Sequence, residues 1–206
     1  MTAQASRVDA LSSPELSVKL FLKDGSKIDV EELVPVFHRW IREDLLEDEL
    51  PIDVAGYAHV PKGPGTVIIC DHAHYYLDER AGRYGLRYRG RRVARGSGEE
   101  AVVRAFRSVL RAASLLEKEP ELGGRYKFET GRVEFGITDR IAAPSRQETL
   151  AAVRPALEAA LKTVYGKPAK SLALASGARE PFLVAIEAGT APSVDALLEQ
   201  LTAAVR

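Results

Sequence analysis

The amino-acid sequence predicts an α+β fold, an antiparallel sheet or sheets built from successive strand–strand–helix units with the helices packed on one face. Two observations predict it. Alternating apolar and polar runs come in pairs joined by short breaker clusters, near 66–89, 125–140 and 171–187, as hairpins do. Each pair is followed by apolar residues at helical spacing: Val102, Phe106, Val109 and Leu116; Leu150, Val153, Leu157 and Leu161; Val194, Leu197, Leu198 and Leu201. The units share no residue-level identity, so the recurrence is one of architecture and not of sequence.

Taken in order, Ser17 to Lys23 reads as the first strand, with Val18, Leu20 and Leu22 on one face and Lys19, Phe21 and Lys23 on the other. Asp24-Gly25 is a turn. Asp29, with Glu32 three residues later, has the capping-box spacing of a helix start. The helix carries Val30, Leu33, Val34, Phe37, Ile41 and Leu45, and Pro35 either kinks it or moves its start to near Val34. Residues 52–60 form a strand with a bulge at Gly56. The breaker cluster at 61–65 then opens a strand expected to run unbroken from Val67 to Leu77. Asp78 to Gly82 turns the chain, and Tyr84 to Arg89 returns it, with Tyr84, Leu86 and Tyr88 on one face and arginine outside on the other.

Ser97 with Glu100 opens the next helix, and Ser145 with Glu148 the one after, which Gly166 ends. Between them, 125–140 reads as a hairpin with one wet and one buried face. Residues 171–175 and 182–187 form the last pair before the final helix.

The chain has 206 residues, with 46% hydrophobic and 28% charged side chains. That suits a single domain over 16–206 behind a disordered tail at 1–15, with 119–124 as the place where it would divide into two subdomains. One cysteine allows no internal disulfide and fits the cytoplasm. No apolar stretch is long enough to cross a bilayer, and the first fifteen residues lack the apolar centre of a signal peptide. The excess of arginine over lysine and the abundance of alanine fit a GC-rich bacterial genome. With 29 basic and 29 acidic side chains, the chain lacks the positive excess of a dedicated nucleic-acid domain, so nucleic acid is an unlikely partner.

The window Thr66 to Val93 concentrates the groups able to do chemistry: two of the four histidines, the cysteine and a run of arginine. Arg80, Arg83, Arg87, Arg89, Arg91 and Arg92 lie there with no acid among them, interleaved with Tyr84 and Tyr88. Arginine forks suit carboxylate and phosphate. The acidic stretch 29–49 complements the basic stretch 80–95, within one chain or between two in a homo-oligomer. His72 and His74 form a His-x-His pair that an unbroken strand would present about 7 Å apart on one face. With His59, Asp71 or Glu79 they could hold a transition metal, or serve a haem. A packed, hydrogen-bonded pair of histidines is the plainer reading of the same residues. No nucleotide-binding, G-x-S-x-G, C-x-x-C or H-E-x-x-H motif is present.

These observations lead to a non-catalytic protein that binds a protein partner or an anionic ligand through the arginine-rich hairpin. The alternative is a metal- or haem-dependent enzyme or binding protein built on His72 and His74.

Overall fold

Strand β1 (Leu16–Leu22) lies near the middle of one eight-stranded antiparallel sheet. The computed structural model describes residues 15–23, 28–46, 49–57, 59–60, 63–80, 82–91 and 98–203. The tail at 1–14, the Asp24-Gly25 turn, Arg92 and Ser97 fall outside the described residues. The remaining strands are β2 (Pro51–Gly56), β3 (Thr66–Cys70), β4 (Ala73–Arg80), β5 (Arg83–Gly90), β6 (Phe128–Ile137), β7 (Ser171–Leu174) and β8 (Phe182–Glu187). They are ordered β2-β3-β4-β5-β1-β6-β8-β7. Because β6 pairs directly with β1, the sheet continues through the break at 119–124.

Helices α1 (Leu33–Arg42), α2 (Gly98–Lys118), α3 (Gln147–Tyr165) and α4 (Val194–Ala203) complete the fold. Helix α2 crosses β1 and β5, α1 packs on β2 and β3, and α3 and α4 lie against α2. Val18, Leu20 and Leu22 of β1 join Leu86 of β5 and Val102, Phe106 and Val109 of α2 in one buried core. Each such aliphatic side chain contributes about 1.5–3 kcal/mol on burial.

Several local expectations change in the structure. Helix α1 begins at Leu33, and neither Asp29 nor Glu32 caps it through its side chain. Asp29 Oδ1 accepts the Glu31 N–H instead, at 3.0 Å. The later start places Pro35 in the first turn, where a missing N–H costs no hydrogen bond. Ser145 caps nothing in α3; its hydroxyl meets Ser176 across 31 residues, 2.7 Å from the Ser176 hydroxyl. The 125–140 segment is a single ten-residue strand, not a hairpin, and its register with β1 shifts between Leu20 and Leu22. Thr130-Gly131 is therefore an irregularity inside β6. Its Gly131 carbonyl accepts the Ala188 N–H at 2.9 Å.

The largest change is at residues 71–72. The unbroken strand expected from Val67 to Leu77 is instead the hairpin β3–β4, in which Ile69 faces His74 and Val67 faces Tyr76. Asp71-His72 is its two-residue connection, and directly paired residues share a face. Ile68, Cys70, Ala73, Tyr75 and Leu77 turn into the helix-side core. Val67, Ile69, His74, Tyr76 and Asp78 take the opposite face. A two-residue turn resets the alternation that a straight strand would have kept.

The sheet is strongly curled toward that opposite face. Arg80, at the tip of the β4–β5 hairpin, donates to the Ala175 carbonyl at 3.3 Å and lies 3.6 Å from Glu180 in the β7–β8 connection. Three strands separate β4 from β8 in the sheet. Gly85 and Gly136 sit on the inside of this curl, where an added Cβ would collide with the Leu20 carbonyl and Lys19, or with Leu183 and Ser17. Glycine is what allows strands to approach there. At one edge of the sheet, β2 carries a register irregularity between Pro51 and Asp53, and Asp53 Oδ1 accepts the Val54 N–H at 2.8 Å.

Candidate functional site

The registers assemble the concave face of the sheet row by row. One row runs Ala55, Val67, Tyr76, Arg87, Lys19, Glu134 and Ala185 from β2 to β8. The next runs Asp53, Ile69, His74, Arg89, Ser17, Gly136 and Leu183. The face is thus apolar toward β2 and β3, and charged across β5, β1 and β6.

The charged part is a closed lattice. Lys19 is 0% exposed and Arg87 7% exposed. Lys19 Nζ lies 2.6 Å from Asp78 Oδ1 and donates to the carbonyls of Asp78 and Arg83 at 3.1 and 3.2 Å. The two carbonyls accept hydrogen bonds from the ammonium, while Asp78 Oδ1 forms an ion pair with it and has no hydrogen-bond partner of its own among the described residues. Arg87 spans Asp78 and Glu134, each at 2.8 Å. Burial pulls the Lys19 pKa down, and Asp78 opposes that pull. Burial also works against Arg87, but Asp78 and Glu134 outweigh it and hold the guanidinium firmly charged. Around this centre, Arg83 pairs with Glu129 at 2.5 Å and stacks over the Phe21 ring at 4.3 Å. Arg80 also approaches Glu134 at 3.6 Å.

The arginines of the hairpin are therefore not one outward-facing set. Arg80, Arg83 and Arg87 are matched to acids within the chain, and Arg87 is buried, not outside. Their partners are Asp78, Glu129, Glu134 and Glu180, none of them from the 29–49 stretch. In that stretch Glu32 pairs with Arg125 at 2.7 Å, and Arg39 pairs with the buried Glu119. Arg89, half-exposed, holds Glu15 at 2.9 Å, and Arg91 is exposed just beyond β5. Tyr88 points to the helix side, 5.3 Å from the Tyr75 ring, and burial, with Glu49 nearby, pushes its hydroxyl up to about 12. Tyr84 lies exposed near the hairpin tip, where slight burial and Glu79 raise its pKa.

The histidines are dispersed. His72 is on the turn, exposed, with Nδ1 3.5 Å from Asp71. His59 is exposed in the β2–β3 connection. His74 lies on the concave face of β4. The common face expected for His72 and His74 depended on a continuous strand and is lost with it. Among the described residues, no three His, Cys, Asp or Glu side chains converge as a metal-ligand group. Cys70 is buried in the core, which pushes its thiol up to about 12, so it is not a thiolate near neutral pH.

What His74 does face is an open cleft of about 430 Å³ on the apolar side of the lattice. Val67, Ile69 and Tyr76 form its floor, Tyr57 and Pro64 stand at its rim, and His74 and Arg89 close one end. Asp78 and Glu79 lie at the other. His74 Nδ1 is buried there with no hydrogen-bond partner. Burial lowers the His74 pKa, and Arg91 and Arg89 lower it further, so the charged groups acting on the ring are both cations. Searches against family models, curated proteins and solved structures found no match for this chain.

The sequence pointed to Arg89 as a residue for an anionic ligand or a partner, and to His74 as a metal ligand. Lys19, Asp78, Glu134 and the cleft floor were missed as members of a site. Their only linear signal was polar residues at alternate positions in strands, the same pattern an ordinary solvated face gives.

Proposed function

We propose that the protein is a non-catalytic binding protein whose ligand is a small anion, held at the Arg89–His74 end of the cleft over β3, β4 and β5. The observation that carries this reading is the buried Nδ1 of His74, left without a partner in a cleft where its charged neighbours are Arg89 and Arg91. An anion bound beside Arg89 would raise the proton affinity of the imidazole, and the protonated ring would donate to it. Arg89 supplies a guanidinium fork beside it. Its link to Glu15 is a half-exposed pair, weak enough to rearrange. The other reactive groups are sequestered: burial on the helix side pushes the Cys70 thiol up to about 12, and Lys19 is held by the Asp78 carboxylate and by the Asp78 and Arg83 carbonyls.

The test is an NMR titration of the isotope-labelled protein with sodium acetate, butyrate and benzoate, following the His74 ring and the Tyr76 and Arg89 amides. Saturable shifts at these positions are expected with at least one anion. They weaken in Arg89→Gln, and the His74 pKa rises as the anion binds. If none of the anions produces saturable shifts there, or if Arg89→Gln binds as well as the unaltered protein, the reading fails.

A further inference from the structure

We infer that the ligand of this cleft is a singly charged carboxylate carrying an apolar chain, an inference that rests on the anion-binding reading above. Charge accounting limits the head group. Of the cations on the concave face, Lys19 of β1 and Arg80, Arg83 and Arg87 of the hairpin pair with Asp78, Glu129, Glu134 and Glu180. That leaves Arg89 and the exposed Arg91 set against Glu15 alone, a net single positive charge beside the His74 imidazole to meet the ligand's charge. One guanidinium fork matches one carboxylate. A nucleotide or other polyanion would run into Asp78 and Glu79 at the far end of the cleft.

The row geometry gives the tail its path. His74 and Arg89 face each other in one row; Val67 and Tyr76 lie in the next; Tyr57, whose N–H bonds Gly65, lies in the row after that. Successive rows on one face are about 7 Å apart. A head group at the first row therefore sends an extended chain over Val67 and Tyr76 toward Tyr57. Beyond it stands Val60, 40% exposed beside a 39% exposed Tyr57. These are two of the six exposed large apolar side chains among the described residues and stand where the tail would emerge, whereas Leu50 and Ile52 lie at the opposite end of β2, beside the β3–β4 turn. The volume lies within the range of about 300–1,000 Å³ usual for small-molecule sites.

The experiment compares butyrate, decanoate, decylammonium and inorganic phosphate by calorimetry, on the unaltered protein, Arg89→Gln and Tyr57→Ser. Each fully buried methylene strengthens binding about fourfold, so decanoate should bind at least about tenfold more tightly than butyrate even if most of its chain stays partly exposed. Arg89→Gln should weaken decanoate about tenfold or more, Tyr57→Ser should weaken decanoate but not butyrate, and decylammonium and phosphate should not compete. If butyrate or phosphate binds as tightly as decanoate and both depend on Arg89, anion binding stands and the apolar tail is wrong. If decylammonium matches decanoate and Arg89→Gln changes neither, the head-group assignment is wrong and the anion reading falls with it. Absence of binding by every probe overturns both.

Discussion

Along β1 the two faces of the sheet reach nearly the same degree of burial by opposite chemistry. On β1 alone, Val18 and Leu20 are buried on the helix side while Ser17 and Lys19 are buried on the other. The helix side excludes water with hydrocarbon contributed by α1 and α2. The concave side excludes it by curling the sheet until charged side chains from β4, β5, β1 and β6 cover one another. Apolar contacts tolerate small shifts, whereas a buried ion pair depends on both partners: its Coulombic gain only offsets desolvation when the geometry is complete. The concave face is thus the brittle one, and the helix face the adaptable one.

The sharpest way to break this comparison is to remove one partner. Glu134→Ala leaves the buried Arg87 without one of its two acids and is expected to lower stability by about 3–5 kcal/mol. Urea unfolding measures it; a loss below about 1 kcal/mol would mean that water reaches Arg87 and the face is not sealed. Next comes Leu20→Ala, expected to cost about 2–5 kcal/mol, depending on how far the helix-side core collapses around the gap. The double replacement Arg87→Met with Glu134→Leu should cost much less than Glu134→Ala alone, because no unpaired charge is left on Arg87 or Glu134. A double replacement that costs as much as Glu134→Ala or more would instead make the pair a net source of stability.

The smallest effects are in pH, and the two faces should fail at opposite ends. Burial holds Tyr75, Tyr88 and Tyr165 above their ordinary value of 10.0 on the helix side. Unfolded tyrosine gives up its proton first as pH rises, so stability is intact below pH 10 and lost above it. On the concave side, Thr138 and Arg89 hold Glu15 below 4.5, and for Glu129 the bonds from Arg132 and Arg83 outweigh the opposing effect of burial. That contribution is present above pH 4.5 and lost as pH falls. His74, lowered from 6.5 by burial and by Arg91 and Arg89, adds a decline starting near pH 6.5, because the unfolded imidazole binds its proton first. Thermal melts of the unaltered protein and of His74→Phe across pH 5–7 would show it. Equal pH slopes for the two would remove His74 from the account.

The α+β class was legible because alternation and helical spacing are local properties. The face assignment of β1 and β5 was legible for the same reason, as was the β7–β8 hairpin. Two things were not. The turn at Asp71-His72 carries no glycine or proline, so nothing in its chemistry marked the point where the parity of His74 and Tyr76 resets. The burial of Lys19 and Arg87 was equally hidden. Alternation identifies which residues share a face but not whether that face is covered, and here the cover comes from residues as distant as Glu134 and Ala175. The candidate cleft combines both hidden facts, because its floor exists only once the hairpin has turned and its charged wall only once the sheet has curled.

Asp53 controls a hazard quite different from unfolding. Among the described residues no strand pairs with the outer edge of β2, and Leu50 and Ile52 at that margin are 65% and 59% exposed, a template on which foreign strands could accrete. By accepting the Val54 N–H, the Asp53 carboxylate occupies an outward donor that an incoming chain would use first. Replacing it should scarcely move the melting temperature yet lower the concentration at which the protein precipitates.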